Sequence, residues 1–140
     1  MRLMQLIVLM CAAVLLLGGC ASTGRETDAL DRAQYAWSGA IRWGDFEGAR
    51  NLIDPELRKA HPMTPLQLAR YEQVQISSYR DVGSDRDIAA GTAVRDIEIG
   101  VINRHTLAER KVRYREKWRW DPEAKTWWLQ GDLPDLWGGQ

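Results

Sequence analysis

Three sets of side chains in this chain are of types and spacings that could do chemistry. The first is a single thiol. Cys20 ends the run Leu17-Gly18-Gly19-Cys20, directly after an apolar stretch from Leu6 to Leu17. Small residues before a scissile bond let a chain enter a peptidase cleft extended, and a thiol at the next position can take a lipid. The second set is Arg95, Tyr114 and Glu116, which strand alternation turns toward the interior. A buried Arg needs a carboxylate or hydroxyl partner, because an unpaired buried charge is very costly. The three would form either a polar group at the mouth of a cavity that binds a small ligand, or an internal salt bridge or a rim position open to water. The third is a basic series at alternate positions, Lys111, Arg113, Arg115, Lys117 and Arg119. Arg115, Lys117 and Arg119, with Trp128 stacked on Arg119, make a candidate surface patch for lipid phosphates, lipopolysaccharide or an acidic partner. The same series also reads as a solvated sheet face with cross-strand partners.

Other chemistries find little support. His61 lies in a proline-flanked break and His105 in a hairpin turn, so neither occupies an inward strand position. No His, Cys and Asp cluster has metal-ligand spacing, and there is no Gly-rich phosphate loop. No cofactor and no metal are expected. Acid–base work by Glu116 or Asp45 is chemically open, but nothing specific selects either. Lys and Arg number 19 against 19 Asp and Glu, which argues against nucleic acid as a partner.

The first twenty residues read as an address. Arg2 and the free amine form a short positive region, and the 12-residue apolar run is too short to span a bilayer but suits a signal peptide. No Ala-x-Ala-like site follows. Leu17-Gly18-Gly19-Cys20 resembles the lipobox of bacterial lipoproteins. The resemblance implies cleavage before Cys20, diacylglycerol on its sulfur and an acylated new N-terminus. Ala21 at the next position implies sorting to the outer membrane, on its periplasmic side, with the inner membrane as the alternative. Removing the 19-residue leader from 140 residues leaves 121, with 18 basic and 19 acidic side chains. Cys11 leaves with the leader, so no intramolecular disulfide can form and stability must come from a packed core. The expected organisation is a signal peptide over 1–19, a lipidated Cys and polar tether over 20–27, one domain over 28–133 and a tail over 134–140.

The positioning elements follow from periodicity. Thr27 or Asp28 can cap a first helix carrying Leu30, Ala33, Trp37, Ala40 and Ile41 on one stripe, with Gly44 as its stop. Asp45 caps a second helix bearing Phe46, Ala49, Leu52 and Ile53. Pro55 opens a third through Ala60, and Thr64-Pro65 opens a fourth through Ala69. From Tyr71 the period becomes two. Strands are expected from Tyr71 to Gly83, Thr92 to Ile102, Leu107 to Trp120 and Thr126 to Gln130, with Ser84–Asp87 as a loop. Pairing Ile102 with Leu107 puts Asp96 opposite Arg113, Glu98 opposite Lys111 and Arg95 opposite Tyr114, so that like faces like. Trp37, Trp118, Trp120 and Trp127 fall on buried faces. Trp43, Trp128 and Trp137 are less accounted for, and the tail docks either on its own domain or on a partner.

Helices followed by an antiparallel meander give an α+β class, with helices packed on one face of a curved, cone-like four-stranded sheet. The stretch Ile41-Arg42-Trp43-Gly44-Asp45-Phe46 through Leu57-Arg58 resembles the helix, Gly-Asp-aromatic, helix entry of nuclear transport factor 2-like (SnoaL-like) domains. The closing hairpin Arg119-Trp120-Asp121-Pro122 to Trp127-Trp128-Leu129 is similar to theirs. The resemblance covers roughly 28–133 and includes no diagnostic catalytic motif; a lipocalin-like or other small sheet-plus-helix fold is the competing reading. Catalytic members of that family use inward Asp, His or Tyr. The expectation is a membrane-anchored lipoprotein whose domain is a non-enzymatic binding or assembly module with an envelope protein partner. The alternative is a carrier or enzyme for a small molecule, working in an inward cavity.

Overall fold

The computed structural model describes residues 1–138, with side chains described for 1, 4 and 22–138. Four helices precede four strands: α1 (Arg2–Trp43), α2 (Phe46–Arg50), α3 (Pro55–Ala60), α4 (Pro65–Tyr71), β1 (Val74–Asp87), β2 (Thr92–Asn103), β3 (Glu109–Asp121) and β4 (Thr126–Leu129). The strands form one antiparallel sheet in sequential order, so the α+β expectation holds.

The helix ends are written locally. Gly44 adopts φ 76° at the α1 C-terminus, a conformation that suits glycine. Asp45 Oδ1 accepts from Gly48 N at 2.8 Å and starts α2. Asp54 Oδ1 accepts from Glu56 N at 3.0 Å with Pro55 in the first turn of α3. Thr64 and Gln67 form a reciprocal capping box at α4. Two expectations about these helices need correcting. The expected second helix ends early: Ile53 instead bridges β4 in parallel at Leu129. Leu129 N donates to Leu52 O and Asp54 N donates to Leu129 O, both at 2.9 Å, so this segment covers the free edge of β4. The first helix, expected to be capped by Thr27 or Asp28, runs without interruption from Arg2. Thr27 Oγ1 is spent on Thr23 O at 2.8 Å and caps nothing. Residues 22–27, read as an extended tether, are helical. No proline interrupts that stretch, and Trp127 Nε1 fastens it to β4 through Glu26 O at 2.9 Å.

The strands keep their expected faces but change partners. In the β2–β3 ladder Ile102 lies opposite Glu109 rather than Leu107. The hairpin is longer than expected. Asn103 Oδ1 accepts from His105 N and Thr106 N, and Leu107 turns through φ 58° with its N–H on Asn103 O at 2.8 Å. A slip of two residues preserves inside and outside while changing every cross-strand pair. Strand β1 also runs on through Ser84–Asp87, which was read as a loop. Bulges between Ile76 and Ser78 and between Asp81 and Gly83 hide its period. Gly100 lies under the first bulge: a Cβ there would meet Ser77 Oγ at 2.3 Å and Ser78 Oγ at 2.5 Å.

The core lies between α1 and the inner sheet face. Leu30, Trp37 and Ile41 meet Ile97, Ile99, Val101 and Trp118, all fully buried or nearly so. Leu133, Pro134 and Leu136 are buried as well, so the C-terminal segment packs on its own domain. Tyr71 Oη donates to Pro134 O at 3.1 Å, Trp137 meets the Tyr71 ring edge-on, and Arg70 lies 4.2 Å over Trp137. Burial pushes the Tyr71 phenol up to about 12. Gly139 and Gln140 lie outside the described residues.

Asp54 joins the helical layer to the sheet. Its Oδ2 accepts from Arg119 Nη2 at 2.6 Å and Gln130 Nε2 at 3.1 Å. The Arg119 hydrogen bond, opposed by burial, is the largest influence holding its carboxyl at about 2, below the ordinary 3.8. A depressed native pKa stabilises the fold fully above the unfolded value and loses that contribution as pH falls through the folded one. Asp54→Asn should therefore flatten the acid limb of the stability curve between about pH 4 and pH 2. Urea titrations at stepped pH check this, and an unchanged limb would contradict the role. Trp118→Ala should cost about 3–5 kcal/mol, as other large core truncations do. A cost below about 1 kcal/mol would show the ring to be dispensable.

Candidate functional site

The inward polar group is a closed knot around one carboxylate. The observed register places Arg95 directly opposite Glu116, where Tyr114 was expected. Arg95 Nε reaches Glu116 Oε2 at 2.9 Å and Nη2 reaches Oε1 at 2.8 Å, a bidentate pair across adjacent strands. Trp118 Nε1 donates to Oε2 at 2.8 Å, and Tyr79 Oη donates to Oε1. Glu116 is 0% exposed. Burial pushes its carboxyl above the ordinary range, and the Arg95 charge and the three donors pull it back. Burial, with the Glu116 charge beside it, pushes the Tyr79 phenol far up, so Tyr79 keeps its proton.

Tyr114 is not part of this knot. Its hydroxyl donates to Asp132 O at 3.0 Å, near the C-terminal segment. Its ring does contribute. Trp37 of α1 stacks on Tyr114 with centroids 6.2 Å apart and meets Trp118 edge-on at 6.3 Å. Residues 114 and 118 flank Glu116 on one face of β3, and Trp37 packs on both.

Three members of the site were not assigned to it from the sequence. Continued past Ile76, the β1 alternation would put Tyr79 beside Gln75 and Ser77, on the outer face. The bulge at Ser77 inverts the parity and brings Tyr79 in. Gln34 is 2% exposed, and its position between Leu30 and Trp37 on the helical stripe was an available signal. Its Oε1 accepts from Arg86 Nη2 at 3.1 Å, and its backbone O accepts from Arg95 Nη2 at 3.4 Å. Arg86 also pairs with Asp31 at 2.7 Å. Trp118 was read as core packing alone, although its place two residues from Glu116 set it on the same face. Gln34 Nε2 and Trp37 Nε1 are buried without a hydrogen-bond partner among the described residues.

On the outer face the basic series is largely matched. Arg115 holds Asp96 through two bonds, 2.7 and 3.0 Å. Glu98 gathers Arg80, Lys111 at 3.2 Å and Arg113 at 3.5 Å. Arg119 turns to Asp54 instead of stacking on Trp128, whose Nε1 donates to Asp121 Oδ2 at 3.3 Å. Lys117 is exposed, with no ion-pair partner among the described residues. Cys20, the lipidation candidate, lies outside the residues whose side chains are described.

The site's geometry predicts a strongly coupled pair. Arg95→Met leaves the carboxylate buried without its countercharge and should cost about 3–5 kcal/mol in urea unfolding. Adding Glu116→Leu should recover most of that loss. A double variant as unstable as the single would show that the two groups act independently.

No family profile and no curated protein matches the sequence. The fold resembles solved structures, of which two are described. One is the solution structure of a SEC-C motif containing protein from Rhodopseudomonas palustris, with TM-score 0.53 and 16% identity over 69% of this chain and 72% of that one. The other is an NTF2-like family protein from Streptomyces avermitilis, described as a candidate dehydratase. It has TM-score 0.51 and 17% identity over 73% of this chain and 88% of that one. Helices before a four-stranded antiparallel sheet, taken with this likeness, give the chain an NTF2-like fold.

Proposed function

We propose that the protein is a lipid-anchored envelope lipoprotein, outer-membrane and periplasm-facing, whose domain is a binding or assembly module rather than a catalyst. One observation carries the second half of this reading. The inward carboxylate, Glu116, takes four hydrogen bonds from three side chains of its own chain and has no exposed surface. A group so engaged cannot take a proton from a substrate without first dismantling the interior. Support for an outward-facing role comes from Trp43. The residue is 88% exposed at the end of α1, beside Ile76 and the open edge of β1. Exposed tryptophans of this kind are typical anchors in protein interfaces. The anchor half of the reading rests on the resemblance of Leu17-Gly18-Gly19-Cys20 to a lipobox.

A second reading has one observation in its favour. The orphaned donors Gln34 Nε2 and Trp37 Nε1 lie three residues apart on one helix face, pointing to an interior polar guest in a carrier.

Intact mass analysis of protein isolated from bacterial membranes tests the anchor. The expected mass is that of residues 20–140 plus acyl chains, and Cys20→Ser should release the protein from the membrane fraction. A retained leader or an unmodified Cys20 overturns it. Native mass spectrometry of the same sample tests the module reading. A small molecule held inside the fold, displaced by Trp37→Phe, would replace the module with the carrier.

A further inference from the structure

We propose that a groove beside the anchor residue binds a phosphoethanolamine-type lipid headgroup from the membrane in which the protein is anchored. The proposal rests on the lipid anchor at Cys20 for its location and on the groove's own side chains for its chemistry. The groove has a volume of about 410 Å³ and lies between α1 and the β3–β4 hairpin. Its lining carries Arg25, Arg32, Lys125, Glu26, Asp28 and Trp120.

Position comes first. Residues 22–32 continue the helix that includes residue 20, and a helix rises about 1.5 Å per residue. Arg25 is therefore about 8 Å from Cys20 along the axis, and Arg32 about 18 Å. A flexible tether would have left the groove free to drift. The helix, pinned by Trp127 Nε1 on Glu26 O at 2.9 Å, holds it within headgroup reach of the lipidated residue.

Charge comes second. Arg25, Ala29 and Arg32 recur at i, i+4 and i+7, one stripe along the helix. Lys125 faces them from the hairpin, in a turn where it adopts φ 51° and where Asp121 Oδ1 accepts from Glu123 N and Ala124 N. Among the described residues none of these three cations has an ion-pair partner, whereas Arg80, Lys111, Arg113, Arg115 and Arg119 on the sheet all have one. The groove thus holds unneutralised donors suited to a phosphate.

The lining also has two carboxylates, Glu26 and Asp28, and the half-buried Trp120. A purely anionic headgroup would leave those carboxylates opposed to it. A headgroup carrying a phosphate and a primary ammonium matches both signs, and an indole wall suits an ammonium as well. The volume falls within the range of about 300–1,000 Å³ usual for small-ligand sites.

Native mass spectrometry of the full lipidated protein, released from detergent micelles, tests this. Phosphatidylethanolamine, phosphatidylglycerol and phosphatidylcholine are added in turn at equal concentration. The expected result is one retained phosphatidylethanolamine, displaced by soluble glycerophosphoethanolamine. It should fall about tenfold in the variant Arg25→Gln, Arg32→Gln, Lys125→Gln and persist in the control Arg113→Gln, Lys117→Gln. Equal retention of all three lipids, or retention undiminished in the triple variant, overturns the proposal. Displacement by inorganic phosphate as effectively as by glycerophosphoethanolamine also overturns it, since that marks a site for free phosphate. The intact mass of the same sample reports acylation separately. Acyl chains present without a lipid adduct sink the groove alone, and an adduct on a protein without acyl chains sinks the anchor alone.

Discussion

A carboxylate with no exposed surface sets the terms for this fold. Burying an ionised acid costs several kcal/mol unless its lone pairs and its charge are answered in place. Glu116 is answered from three strands: Arg95 on β2, Trp118 on its own strand β3, and Tyr79 on β1. Each donor must arrive on the inner face at one level of the sheet. In the observed β2–β3 register Arg95 pairs directly with Glu116 and makes the bidentate contact. The arrangement also requires a change of parity in β1, since Tyr79 would otherwise point outward, and the bulge at Ser77 supplies it. Gly100 in turn leaves room for the bulge. The chain of dependence runs from one charge to a register, from the register to a bulge, and from the bulge to a glycine.

The same chain explains what the sequence could and could not disclose. Which side chains face inward was legible, because period-two alternation survives a two-residue slip. Val112, Tyr114, Glu116, Trp118 and Trp120 all lie on the expected face. The pairing itself was not legible, because both registers match apolar with apolar and acid with base. The observed register goes with a five-residue turn in which Leu107 takes a backbone conformation few leucines adopt. Tyr79 was lost for a related reason, since a bulge leaves no mark in composition. The helix caps were legible because their signals are local: an Asp, a Thr, a proline in the first turn. The first helix was longer than expected because Ser22–Thr27, polar and small, looks like a linker. Nothing in it forbids a helix, and its attachment to Trp127 lies 101 residues further along the chain.

The two edges of the sheet are treated differently. At β4 the segment Leu52–Asp54 supplies hydrogen bonds and Asp54 adds an ion pair with Arg119, so the edge is closed by the chain itself. Among the described residues, the fourteen-residue strand β1 has β2 alone as a ladder partner. Arg42 Nη2 occupies one of its carbonyls, Tyr79 O, at 2.8 Å. Strand edges invite pairing with other chains unless they are covered or charged. β1 carries Arg80, Asp81, Asp85, Arg86 and Asp87 along its length, which discourages a second copy from adding in register.

The inward carboxylate is spent on holding the fold, and the surface charges are arranged differently. The outer sheet face illustrates how little a row of like charges can mean. Five alternating cations looked like a patch, yet four of them are tied to Asp96, Glu98 and Asp54. Exposed pairs of this kind contribute little to stability, about 0–1 kcal/mol each. Their effect is instead to cancel the long-range field that would draw in an acidic partner. Cations left unneutralised matter more than cations in number. Arg25, Arg32 and Lys125, which line one groove at the end of the domain nearest residue 20, are three such cations among the described residues.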